Sequence, residues 1–343
     1  MPVGPFVVRD ATRAPSTGTN SVRYTPDVST VTWDVIGVGS NSIDHVLLLP
    51  ETIPSLAAST KIRLRAQSVR CGGQTVTTLG TCAALGLKTK YVGAIGRDEN
   101  GRRMRDALTR RGVDITHVVE RDAATQTATI LVHPETGSRV VLWDRDGRLP
   151  LRSEDVPVES FKVARIVHVD DVDVTVALGA ATAARAAGVR VTSDIDHVSD
   201  LTEDLLTMVT YPIFADEAPQ LLTGVSDPEG ALRKLRRQHA GVLCVTLGER
   251  GAMALEGSQL HHQPAFPVQV RDTTGAGDVF RGGFIYGVLR GWSVPRILEF
   301  AAAAAAVSCT RLGALDGAPT LQDVRTLLLT AGSRQQTAGS ETG

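Results

Sequence analysis

The sequence predicts an α/β fold wound around a mostly parallel sheet, and three observations carry that expectation. Short apolar runs alternate with segments of helical period along most of the chain. Its 343 residues suffice for a large buried core. Two stretches break the alternation and predict strands outside the main sheet. In order, residues 1–30 are rich in Thr, Ser, Pro and Arg without apolar periodicity, and are expected as a flexible tail. Residues 35–38 open the sheet. Residues 61–70 (KIRLRAQSVR) alternate apolar and polar with period two, as a half-buried strand does. Residues 79–85 carry helical spacing, 91–95 form the next apolar run and 101–111 the next helix. Residues 126–144 read as a hairpin turning at 134–137. Strand and helix then alternate through 165–169 and 174–187, 190–193 and 201–209, 212–214 and 229–238, ending on the strand 242–246. Residues 332–343 (GSRQQTAGSETG) are expected as a disordered tail. No internal repeat is visible.

The formal net charge is −1 and no long basic run occurs, which argues against a nucleic-acid partner. A membrane partner is not expected, because no apolar stretch approaches the roughly 20 residues of a span; the alanine-rich run at 301–307 is too short. The first residues lack a charged segment followed by an apolar one, so a cytoplasmic location is expected. Four dispersed cysteines without a C-x-x-C pair read as buried free thiols. The eight histidines show no metal-ligand spacing.

Residues 272–288, DTTGAGDVFRGGFIYGV, are the most informative segment. Small residues let a backbone approach a ligand closely. The first turn of the helix that follows offers free N–H groups and a positive dipole end, which hold an anion. A carboxylate is not needed for that, so Asp278 reads as a base that takes a proton from a hydroxyl beside a phosphate. The segment resembles the C-terminal signature of the PfkB (ribokinase-like) carbohydrate kinases. The resemblance implies a ribokinase-like three-layer α/β/α sandwich over residues 31–331, with lid strands near 45–70 and 126–144. It also implies an anion hole from Gly275, Ala276 and Gly277, and ATP-dependent phosphorylation of a hydroxyl on a small sugar.

The resemblance extends over residues 33–328. WDVIGVGSNSIDHVLLLP, from Trp33, is similar to the family's first strand and turn, which places Asp44 on substrate hydroxyls. CGGQTVTTLGTCAALG, from Cys71, resembles the first family signature, bringing Gly72 and Gly73 against the sugar. The usual Asn falls on Thr77, which has fewer hydrogen-bonding groups. Gln74, three residues earlier, is expected to supply the missing amide. Asp170, with Asp171 and Asp173 as alternatives, falls where relatives place a carboxylate on the substrate, and Arg145 lies near the expected lid, where it suits a phosphate of the substrate. Trp143 is the one aromatic residue suited to clamp a base, which keeps a nucleoside kinase of the same fold as an alternative. A catalytically inactive sugar-binding regulator is the other.

On the nucleotide side, LCVTLGERGAM from Leu243 resembles the turn that contacts ATP, with Thr246 and Gly248 near the nucleotide, and Asp194 is expected near the phosphates. Ala302 falls beside the adenine. No P-loop pattern occurs. The family's N-x-x-E motif for Mg²⁺ falls on alanines in FADEAPQLLTG, leaving Asp216 and Glu217 as the nearest carboxylates. Asp272, Thr274, Ser308, Arg311 and Gly313 fall where some relatives hold a monovalent cation such as K⁺. An apolar lid face predicts a homodimer through residues 61–70 and 126–144.

Overall fold

The computed structural model describes residues 32–50, 61–133, 135 and 139–340, with residues 332–340 described by backbone alone. The expected tail at 1–30 lies outside them, as does most of the hairpin turn at 134–137. The first half of the chain comprises β1 (Trp33–Val38), β2 (Ser42–Leu48), β3 (Ala66–Gly72), α1 (Gln74–Ala84), β4 (Thr89–Gly96), α2 (Glu99–Arg110), β5 (Asp114–Arg121), β6 (Thr127–Val132) and β7 (Arg139–Asp144). Strand and helix then alternate through β8 (Ala164–Val169), α3 (Val174–Ala186), β9 (Arg190–Ile195), α4 (Thr202–Met208), β10 (Tyr211–Phe214), α5 (Ala218–Thr223), α6 (Pro228–Leu235) and β11 (Leu243–Thr246). A hairpin of β12 (Ala252–Glu256) and β13 (Gln259–Gln263) leads to α7 (Ala276–Leu289), α8 (Val294–Cys309), α9 (Ala314–Gly317) and α10 (Leu321–Ser340).

Nine strands form the main sheet in the order β13-β12-β11-β10-β9-β8-β1-β4-β5. From β11 to β5 every pairing is parallel, and β12 pairs antiparallel with both β11 and β13. Alternate residues of the central strands feed opposite layers, as the two-residue period of a strand requires. Val35, Tyr91, Ile95 and Ile166 face the core under α1, α2, α7 and α8. Ile36, Val38, Val92, Val167 and Val169 face the core under α3 and α4. The result is the expected sandwich of helices, sheet and helices.

The lid is a separate four-stranded sheet, β3-β2-β6-β7. Its β2–β6 pairing is parallel and the other two are antiparallel. The strand expected over 61–70 begins only at Ala66, because its partner β2 ends at Leu48, the residue that pairs with Ala66. Beyond lies Pro50, which has no N–H to offer a ladder. At the other end of the chain α10 continues to Ser340, past residue 332, where composition predicts disorder. Only glycines interrupt that stretch and no proline stops it.

Parallel pairing carries β1, β4, β8, β9, β10 and β11 to the same edge of the sheet. Strand order reverses at β1, with β4 on one side and β8 on the other. Such a reversal opens a crevice beyond the carboxyl ends of the strands, and the expected site residues gather there.

Candidate active site

The N-terminus of α7 lies at this edge. Gly275 is its N-cap with φ of 75°, a left-handed conformation that favours glycine. A Cβ there would also stand 2.4 Å from Ala314 Cβ. The Ala276 amide donates to the Thr273 carbonyl at 3.2 Å, while among the described residues the Gly277 and Asp278 amides have no such partner. Asp278 therefore occupies the first helical turn beside free donors, in a positive end field. Thr78 Oγ1 of α1 donates to the Asp278 carbonyl at 3.1 Å and ties the turn to the neighbouring helix.

Opposite Asp278, the end of β9 presents Asp194, fully buried, and Asp196 two residues on. Arg281, one turn beyond Asp278, is only 2% exposed. Its Nη2 is in contact with Asp194 and lies 3.1 Å from Asp196 Oδ1. Burial and the neighbouring Asp196 and Asp278 carboxylates raise the Asp194 carboxyl well above its ordinary range, against the pull of Arg281. Gln74, at the start of α1, lies near Asp196 and favours its ionised form, and its Oε1 is buried without a partner. The expected sugar amide is thus turned towards the carboxylates. Thr77 is fully buried beside Gly275, with its hydroxyl unpartnered.

Asp44 lies on the lid strand β2, 5% exposed, with Gly72 packed against its carboxylate. Gly73 has φ of 99° and lies against the Asn41 backbone, so the turn after β1 and the start of α1 meet without side chains between them. Asp170, at the end of β8, braces this meeting. Its Oδ2 accepts from Ser40 N at 2.6 Å and Thr75 Oγ1 at 2.8 Å, and its Oδ1 from Val172 N at 3.2 Å. Asp170 thus shapes the floor of the crevice. Arg145 makes a bidentate pair with Asp173 at 2.6 and 2.9 Å, so its guanidinium is already engaged. Trp143, 67% exposed, shares a row with Asp44 through Ala128 and therefore faces the same side of the lid.

On the other expected positions, Thr246 ends β11 with Oγ1 donating to the Phe214 carbonyl at 3.3 Å, and Gly248 begins the next turn with φ of 58°. Ala302 is buried in the core under α7 and α8. Asp216 is paired with Arg250 at 2.8 Å, and Glu217 precedes α5. Among the described residues no group of three or more His, Cys, Asp or Glu is placed to hold a metal. The carboxylates expected for Mg²⁺ therefore do not form a protein cage. Asp272 clasps two loops, accepting from Thr274 N at 2.9 Å and Gly313 N at 2.8 Å, while Arg271 N donates to the Cys309 carbonyl. Ser308 Oγ donates to the Ala305 carbonyl and Arg311 pairs with Asp323.

The family model described as pfkB family carbohydrate kinase matches residues 34–321. The chain belongs to that family. It is 29% identical over 298 residues to the ribokinase of Haemophilus influenzae, which covers 83% of this chain and 95% of that protein. It is 30% identical over 261 residues to a 2-dehydro-3-deoxygluconokinase of Thermoproteus tenax, covering 71% of this chain and 80% of the relative. The structure of Arabidopsis thaliana ribokinase complexed with ribose and ATP superposes with a TM-score of 0.75 at 25% identity, over 87% of this chain and 99% of that one. As a PfkB carbohydrate kinase the chain is a phosphotransferase with a sugar hydroxyl as acceptor.

Within this PfkB kinase, two groups of the crevice escaped the sequence reading. Asp196 follows Asp194 by two residues, the spacing that puts both on one side of an extended backbone. Arg281 is the one basic residue in the apolar helix of α7, three residues after Asp278. Both signals are present in the chain but are common elsewhere.

Burial pushes the Asp278 carboxyl up to about 7; Arg281 pulls it down and Asp196 pushes it further up. Burial likewise raises Asp44 and Asp170, each to about 6. The unfolded Asp278 titrates near 3.8. Between the two values the folded chain binds more protons than the unfolded chain, so stability falls as pH rises through this window and is level above it. Asp278→Asn should therefore melt above the parent at about pH 8, by roughly 2–4 °C for each kcal/mol recovered. The difference should close towards about pH 4, and thermal melts across that range by circular dichroism check it.

Proposed function

We propose that the chain transfers the γ-phosphoryl group of ATP to a primary hydroxyl of a small sugar, with Asp278 as the base. One observation carries this reading: Asp278 stands in the first turn of α7, next to unpartnered amides, at the carboxyl edge of the sheet. Asp278 takes the hydroxyl proton, and the freed oxygen attacks the phosphoryl group in line. The Gly277 and Asp278 amides, with the dipole end, stabilise charge spreading over the phosphoryl oxygens. Asp44 grips sugar hydroxyls from the lid, above a floor set by Gly72, Gly73 and the turn that Asp170 braces. Thr246 and Gly248 lie on the nucleotide side. Magnesium is expected to travel with the nucleotide, held by phosphates and water, a coordination Mg²⁺ favours. The clasp at Asp272 supports a monovalent cation on the carbonyls of its two loops.

A second reading, a nucleoside as acceptor, is favoured by Trp143, an exposed ring on the Asp44 face of the lid. ADP release measured with D-ribose, D-fructose, 2-dehydro-3-deoxy-D-gluconate and adenosine separates the two, and no release with any of them would leave an inactive binder. With the preferred acceptor, Asp278→Asn should lower kcat by about 10²–10⁴ while ATP affinity stays near the parent value.

The outer lid face supports the homodimer. Val69, Val140 and Leu142 are 41%, 56% and 56% exposed and alternate with Arg70, Arg139, Val141 and Trp143, which face the other way. A second copy covers this row, and its like charges point away. Light scattering at micromolar concentration should give twice the 36.4 kDa chain mass, and Leu142→Glu should return it to one.

A further inference from the structure

Arg281 is the bulkiest fully buried side chain among the described residues. Helical side chains lean towards the N-terminus of their helix, and this one runs back along Gly277. A Cβ at Gly277 would stand 2.7 Å from Arg281 Nη1, so the glycine leaves the space that the guanidinium fills. Nη2 meets Asp194, Asp196 and, at 3.4 Å, the Ile213 carbonyl, while Nε is buried without a partner. A leucine or phenylalanine would occupy the same volume without desolvating a charge, so packing alone does not call for arginine here.

Three carboxyls, Asp194, Asp196 and Asp278, thus converge on one fixed positive charge. Carboxyls in one buried site resist ionising together. Asp194 and Asp278 repel each other when both are ionised, so each makes it easier for the other to hold a proton. A base that holds this proton cannot accept another from a hydroxyl.

The geometry points to Arg281 as a positioning residue for phosphoryl transfer: set between Gly277, Asp194 and Asp196, its charge offsets the neighbouring carboxylates and so keeps Asp278 free to accept a proton. The inference rests on Asp278 as the base. The other groups facing the guanidinium do not take over this part. His168 of β8 is held neutral by burial beside Arg281, and burial pushes the Cys244 thiol of β11 up to about 12. Asp171, after β8, is bound by the Asp196 and His197 amides. Arg139 of β7 acts on Asp278 from the lid, and Gln74 of α1 carries no charge. Burial raises Asp278 and Arg281 is the largest opposing influence, in the direction the inference needs.

The test is the pH dependence of kcat/KM for the best acceptor among D-ribose, D-fructose and 2-dehydro-3-deoxy-D-gluconate, at saturating ATP, on the full-length chain. This profile reports ionisations of the enzyme before the acceptor binds. Arg281→Gln should move the acidic limb up by about one pH unit or more, a ten-fold loss at low pH. Arg281→Lys should keep it in place. Asp194→Asn, which removes the competing carboxyl and keeps its shape, should move it down. Difference infrared spectra, taken against Asp278→Asn, should show the protonated carboxyl signal of Asp278 persisting to higher pH in Arg281→Gln. Unmoved limbs in both Arg281→Gln and Asp194→Asn overturn the inference. Should Arg281→Gln not fold, an unmoved limb in Asp194→Asn alone overturns it. Full activity in Asp278→Asn would instead overturn the base assignment, so the two failures are distinguishable.

Discussion

The start of α7 fixes everything around it, because a buried carboxylate, unpartnered amides and a buried cation all hang from one helical turn. That turn is held from three sides. The left-handed Gly275 lets the chain enter the helix while lying against Ala314. Thr78 of α1 holds the Asp278 carbonyl. Asp272, buried, binds the approach to the turn to the loop before α9 through two backbone amides. An N-terminus fixed in this way can stabilise charge without reorganising when charge appears, which is where electrostatic catalysis gains most. The sheet supplies the other half, since parallel strands deliver the Asp170 and Asp194 carboxyls to the same edge.

The lid is joined to this turn by polar contacts. Arg139 of β7 donates to Thr273 Oγ1 at 2.7 Å, within the DTTGAGD segment itself. Arg70 of β3 pairs with Asp316 of α9 at 3.1 Å, and Arg111 joins the same carboxylate at 3.4 Å. Exposed pairs of this kind contribute little stability, about 0–1 kcal/mol. Their value is geometric: they set the height of Asp44 above the crevice against the loops that carry Asp278. Asp44 and Asp278 therefore share one frame, although the first comes from the lid sheet and the second from α7 beside the main sheet.

Ionisation and stability pull in opposite directions here. Asp44, Asp170 and Asp278 are all raised by burial, so ionising them at neutral pH works against the fold. Asp170 offsets part of this by accepting three hydrogen bonds, which is why it reads as a brace. Asp44 has little such compensation in the free chain, and a sugar's hydroxyls would supply it.

Much of this was legible in the chain, and the reason differs from residue to residue. The central strands and the helices α2, α3, α4 and α6 show in apolar periodicity because each buries a face against the sheet. The edge strands β5 and β13 do not, since half-exposed strands carry polar residues on both sides. The DTTGAGD segment is legible because small residues in a fixed order next to an acid form a specific pattern. Asp170 and Gln74 show the limit of such reasoning. Their places in the crevice follow from the chain, but the groups they face depend on tertiary contacts with Ser40, Thr75 and Asp196. Arg281 is the sharpest case. Sequence alone gives a charge within an apolar helix, a pattern that elsewhere marks a side chain reaching out to solvent. Here the helix is buried on that side, and the charge is enclosed because β9 ends in two aspartates. Neither segment announces the other, and only the wound sheet, which brings residue 194 to residue 281, makes a buried arginine tenable.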